Sequence, residues 1–125
     1  MKKFVFGLLL LLSLPVYAAT VTVTWTMPTQ YTDSSAITPT DIASTTVEYG
    51  TCNGTAFGTS LGMATASAPA TTLVINNLSA GSTYCFRAYV TMTSTAGGQS
   101  SSFSNVASKS IPPKVPSAPI IVTIS

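Results

Sequence analysis

The chain contains no histidine, which removes the Ser-His-Asp and Cys-His arrangements in which an imidazole activates a nucleophile. Its acids are Asp33, Asp41 and Glu48. Glycoside hydrolysis needs two carboxylates flanking one cleft, whereas Asp33 and Asp41 fall in one polar loop and Glu48 in a strand-like run. The two loop acids are also the sole candidates for weak calcium binding, and a solvated loop is the simpler reading of them. Glycines are scattered at turn positions, with no pattern that would cradle a phosphate. The only cysteines are Cys52 and Cys85. Two thiols without histidine are too few ligands for a structural zinc, and their spacing does not suit a redox-active pair. Neither catalysis, nor a cofactor, nor a metal site is expected. Binding is the class that is left.

The elements that must position any binding surface follow an amino-terminal leader. Met1-Lys2-Lys3 gives a positive start, Phe4 to Leu12 a short apolar run, and Val16-Tyr17-Ala18 a small-residue cleavage pattern. This is the layout of a secretory signal peptide, read here as residues 1–18. The apolar run falls short of the roughly 20 residues that a bilayer span requires, and no cysteine follows it to carry a lipid. The remainder is therefore expected outside the cytoplasm, periplasmic, extracellular or virion-associated, with no membrane partner after cleavage.

Removal of the leader changes the charge balance. The whole chain carries five Lys+Arg and three Asp+Glu, a net charge of +2. Lys2 and Lys3 leave with the leader, and Arg87, Lys109 and Lys114 then balance the three acids. No basic stripe remains for a phosphate backbone, so nucleic acid is not an expected partner. A neutral surface also repels its own copies weakly. The chain is 46% hydrophobic, and disorder would require few apolar residues together with a high net charge.

Apolar and polar residues alternate with the period of strands, and no stretch shows a helical period. Thr20 to Thr26 places Val21, Val23 and Trp25 on one face before Pro28 ends the run. Thr45 to Tyr49 places Val47 and Tyr49 inward. Gly50 to Gly62 reads as turn-rich, with a weaker strand over Leu61 to Ala66. Thr71 to Asn76 directs Leu73 and Ile75 inward, and Tyr84, Phe86, Ala88 and Val90 share one face of a long strand. Ser94 to Ser102 reads as a flexible loop and Phe103 to Ile111 as a last strand. Short strands at this spacing imply an all-β antiparallel sandwich over residues 19–111, followed by a proline-rich linker and strand-like tail over 112–125.

Trp25, the run Val47-Glu48-Tyr49-Gly50, the run Leu78-Ser79-Ala80-Gly81-Ser82-Thr83-Tyr84-Cys85-Phe86 and Ser104-Asn105-Val106-Ala107 resemble, in order and spacing, the hallmarks of the fibronectin type III family. The resemblance covers about residues 20–111. Ala80 stands where the family usually has proline, and Thr45 displaces a tyrosine of the third strand. It implies an immunoglobulin-like sandwich with Trp25, Tyr49, Leu78, Tyr84 and Phe86 in the core. It also implies a tyrosine corner at Tyr84, whose hydroxyl bonds backbone upstream. In this fold the third and sixth strands are antiparallel neighbours, which brings Cys52 and Cys85 together on the outward face. An exported chain favours their oxidation, and the bridge is expected to stabilise by roughly 3–4 kcal/mol in the loop-entropy model. Counting from that pair sets Glu48 beside Tyr89 and diagonal to Arg87, a surface charge pair worth under about 1 kcal/mol.

The family's first strand has no counterpart ahead of Thr20 once the leader is removed. The tail Val115 to Ile124 resembles that missing strand, and it is apolar and β-branched. Three readings follow: it fills its own sheet, it adds to a neighbouring copy, or it stays disordered. Residues 112–119 in extended form reach roughly 25 Å at about 3.1 Å per residue, enough to cross a sandwich. Function is then expected to be contact alone, toward a protein or a cell-surface or glycan partner, through Tyr31, Glu48, Arg87 and Tyr89. Short signal-bearing members of the family resemble accessory adhesion proteins of bacteria or their phages. The alternatives are a structural subunit that self-associates through residues 115–124 and a carbohydrate-binding module.

Overall fold

A computed structural model describes residues 18–120. The expected leader, residues 1–18, lies outside this range except for Ala18, and so does the expected tail from Ile121 onward.

Among the described residues six strands form two antiparallel sheets: β1 (Ala18–Thr24), β2 (Ile42–Asn53), β3 (Ala56–Ser67), β4 (Thr72–Ser79), β5 (Thr83–Met92) and β6 (Ala107–Ser110). One sheet is the pair β1-β4, and the other has the order β3-β2-β5-β6. The two pack face to face as an all-β sandwich. Val47, Tyr84 and Phe86 of the larger sheet meet Ile75 and Leu78 of the smaller, closed by Ile111. A second cluster of Ile42, Val90 and Met92 fills the end where β2 begins and β5 finishes, with Met27 and Ile37 against it. Among the described residues, no helix is long and apolar enough to cross a membrane.

The segment expected to be turn-rich from Gly50 to Gly62 is instead the tip of a long hairpin. Both β2 and β3 run for 12 residues. The reversal needs only Gly54 and Thr55, with Asn53 paired to Ala56. Of these two central residues Gly54 alone has a positive φ, +66°, as in the type II′ turns that match strand twist. Sequence reading mistook the glycines of these strands for breakers. Gly50 is required for another reason: a Cβ there would strike the Thr59 carbonyl and the tip of the Phe57 ring at 2.8 Å. The glycine lets β3 bulge across β2 at this point, where the register shifts.

The last strand is shorter than expected, because only Ala107–Ser110 forms a ladder with β5. Upstream of it two serines extend the pairing with their side chains. Ser101 and Ser104 donate their amides to the Val90 and Ala88 carbonyls at 2.9 and 2.7 Å. Their hydroxyls accept the amides of Val90 and Ala88 at 3.0 Å each. The 94–102 loop is likewise built rather than slack: a 3-10 turn at Ser94–Ala96 is capped by the Thr93 hydroxyl. Tyr84 turns the corner between β4 and β5, its hydroxyl accepting the Ser79 amide at 2.8 Å.

Candidate functional site

The best-defined polar constellation lies on the outer face of the larger sheet. Strand alternation sends Glu48 of β2 and Arg87 of β5 to that face, and the register sets them directly opposite one another, with Thr46 opposite Tyr89. This corrects the sequence count, which put Glu48 beside Tyr89 and Arg87 on the diagonal. The error lay in treating the two cysteines as directly opposed. Cys85 faces Gly50, and the bridge runs diagonally to Cys52, with Cα atoms 5.2 Å apart.

The disulfide itself forms as expected, and it fits an oxidising compartment. Its surroundings differ from expectation. Cys85 is fully buried and Glu48 is 4% exposed, although both point away from the sandwich core. The cover comes from aromatic side chains. The Arg87 guanidinium lies 4.1 Å from the ring centre of Phe57 and 3.8 Å from that of Phe103. Phe103 in turn meets Tyr89 edge-on, with centroids 5.5 Å apart. Phe57 is brought there by the bulge of β3 over Gly50, and Phe103 by the two serines that lace its segment to β5.

Beneath this cover Arg87 Nε donates to Glu48 Oε1 at 2.7 Å. The expected surface pair is therefore a half-sheltered one, with Glu48 buried and Arg87 partly open to solvent. Burial pushes the Glu48 carboxyl up. The Arg87 hydrogen bond, a Ser60 hydrogen bond and the Arg87 charge together outweigh burial, and the carboxyl sits below its ordinary value. A cation between two rings is worth about 0.5–1 kcal/mol when exposed and about 2 or more when desolvated. Arg87 is thus fixed by an anion below and by π-faces on either side.

Around this fixed centre the outer face is apolar. Met63 of β3 lies in the same cross-strand row, opposite Glu48. Met63 is 55% exposed, its neighbour Leu61 54% and Phe103 42%. Phe57, Leu61, Met63 and Phe103 were not singled out from sequence. Alternation within β3 would have found the first three had that strand been extended to its full length.

Tyr31 does not join this group. It lies in the 29–38 loop, beside a cavity of about 430 Å³ that also borders Met92 and Gln99. That loop is held by a turn in which the Tyr31 amide bonds the Ser35 carbonyl. Asp33 serves the same turn, accepting the Ser35 amide at 2.9 Å. Hydrogen bonds from Ser35 hold its carboxyl below the ordinary aspartate range. Asp41 sits apart in a 3-10 turn whose carbonyl accepts the Thr93 amide. Among the described residues no three His, Cys, Asp or Glu side chains gather as a metal site would require.

Comparison with known protein families, with curated proteins and with solved structures finds no match to this chain.

Proposed function

We propose that the protein is a non-catalytic binding module of the fibronectin type III type, engaging a partner protein on a cell or virion surface through the outer face of its larger sheet. The observation that carries this reading is the Arg87 centre: a guanidinium held between Phe57 and Phe103 over a buried Glu48, rimmed by exposed Leu61 and Met63. Arginine and aromatic residues dominate the energetic centres of protein interfaces, and a side chain already immobilised loses little entropy on binding. The strand order β3-β2-β5-β6 against β1-β4 and the Tyr84 corner support the family reading.

A carbohydrate-binding role is less well served. Sugar rings stack on open aromatic faces, and Phe57 and Phe103 each have one face turned to Arg87. The test compares binding of the labelled protein to intact cells and to a glycan array with that of a Leu61→Lys/Met63→Lys variant. Both side chains are exposed, so the variant is expected to fold as the parent does. Saturable binding to cells that the variant loses supports the proposal. Equal binding by parent and variant overturns it, and binding confined to the array replaces it with the carbohydrate reading.

A further inference from the structure

The smaller sheet is unfinished on one side. Among the described residues β1 pairs with β4 alone, and its other edge borders an open groove between the sheets. Two cavities of about 260 and 370 Å³ run along it, joined through Trp25, Thr26, Ala88 and Ser104. Val23 and Trp25 form one wall, and Phe86, Ala88, Ser104 and Asn105 the other. The inward residues of β1, from Ala19 through Val21 and Val23 to Trp25, are only partly covered, whereas Ile75 and Leu78 of β4 are 3% and 2% exposed. Ala107 pairs with buried Phe86 on the inner face, and yet it is exposed. The indole Nε1–H of Trp25 is buried without an acceptor.

The edge itself is unguarded. Exposed edges are normally blunted by charge, proline, brevity or bulges. The β6 edge is four residues long and carries Lys109. The β3 side is broken by two register shifts. In contrast, β1 reads Ala-Ala-Thr-Val-Thr-Val-Thr, without charge or proline, and its single register shift lies near its start, between Ala19 and Val21.

The chain offers one segment that suits this groove. Ile120, Val122 and Ile124 alternate in sequence with Ile121 and Thr123, and in an extended strand the first three would share one face. The point at which the tail departs sets the distance it must cover to reach either groove. Ile111 is anchored at the β4–β5 turn, bonding Gly81 and Ser82. That is the end at which β1 begins, since Ala18 pairs with Ser79. A strand antiparallel to β1 must enter from the opposite end, beside Trp25. To reach it in its own molecule, the tail must first run the length of β1, roughly 23 Å at about 3.3 Å per residue. In the described part of the tail, residues 112–120 form no strand, and Val115 and Ile120 are 77% and 86% exposed.

We propose that the β1 groove is a strand-acceptor site filled by residues 118–124 of a second copy, added antiparallel to β1 and head to tail. Ile120, Val122 and Ile124 of the donor lie over Val23, Trp25 and Ala88, while donor carbonyls supply acceptors to the amides of the β1 edge. Each copy accepts at one end and donates from the other, so the contact does not close on itself and builds linear chains. The outer face of the larger sheet is left free, and this inference stands independently of the partner proposed for it.

The test is light-scattering mass across a concentration series on the full chain and on a Val122→Asp variant, whose change lies outside the described residues. Oligomers that grow with concentration are expected for the parent, with the variant needing on the order of tenfold or more higher concentration to match them. A synthetic peptide of residues 115–125 added to the variant is then expected to protect the amides of Val21–Trp25 from hydrogen exchange. A parent that stays monomeric throughout overturns the proposal, as do oligomers that persist unchanged in the variant. A monomeric parent whose unfolding midpoint drops in the variant also overturns it, in favour of a tail that fills its own groove.

Discussion

The two sheets of this sandwich are held in different ways. The larger one carries a disulfide between β2 and β5, an Arg87–Glu48 pair directly beside it, and an aromatic cover over both. The smaller one has two strands, no covalent link and no ion pair among its described residues, and a row of half-covered apolar side chains along an open edge. One face is cross-linked and covered, and the other leaves a strand edge unpaired among the described residues. A single small domain thus presents a cross-linked outer face and, among its described residues, an unpaired edge at once. The covalent and ionic reinforcement sits on the larger sheet.

The largest effect expected from breaking this asymmetry is loss of the disulfide. The Cys52→Ala/Cys85→Ala variant should lose about 3–4 kcal/mol if loop entropy alone is counted, read as a lower denaturation midpoint in urea. Intact mass should rise by two hydrogens on reduction of the parent and not of the variant. A midpoint within error of the parent would mean that the larger sheet does not depend on its bridge.

Next in size is the ion pair, which should respond unequally to its two halves. Removing Arg87 with Ala strands a buried carboxylate and should cost about 3 kcal/mol. Neutralising Glu48 with Gln leaves a guanidinium that can still reach solvent and its two rings, and should cost about 1–2 kcal/mol. Acid should act like the second change. The folded-state pKa of Glu48 is depressed, so its contribution is fully present above the unfolded-state value and is lost as pH falls through the folded-state one. Urea midpoints of parent and Glu48→Gln should therefore converge on acidification. Equal costs for the two substitutions would show that the carboxylate is not sheltered.

The smallest effect belongs to the corner where the sheets join. Tyr84→Phe removes the acceptor of the Ser79 amide while keeping the ring, and should cost about 1 kcal/mol. Hydrogen exchange at Ser79 should quicken with it, while exchange within the β2–β5 ladder stays unchanged.

Much of this architecture was legible before any coordinates. The alternation of Val21, Val23 and Trp25, and of Tyr84, Phe86, Ala88 and Val90, gave β1 and β5 their inward faces. The joining of the two cysteines followed from the strand neighbours that the family resemblance supplied. The misreadings share one cause. Gly50, Gly58 and Gly62 look like breakers when only the local chain is considered, but in the sheet they give room for side chains and backbone of the opposite strand, as Gly50 does for Phe57 and Thr59. With β3 cut short, Phe57, Leu61 and Met63 could not be placed beside Arg87, and a buried pair read as a surface one. Tyr31 was grouped with Arg87 and Tyr89 by placing its loop beside the same sheet face, and that loop holds it at another cavity.

The sequence by itself determined the strand periodicity, the apolar face of each long strand, the absence of histidine chemistry and the oxidation of the only two thiols. These depend on residue type and on spacing along the chain, which are local quantities. The tertiary structure alone decided the register between β2 and β5, the sheltering of Glu48 beneath Phe57 and Phe103, and the opening of the groove beside β1. Each of these depends on which distant residues become neighbours, and a shift of two positions in one ladder separates Arg87 from Tyr89 as the residue opposite Glu48.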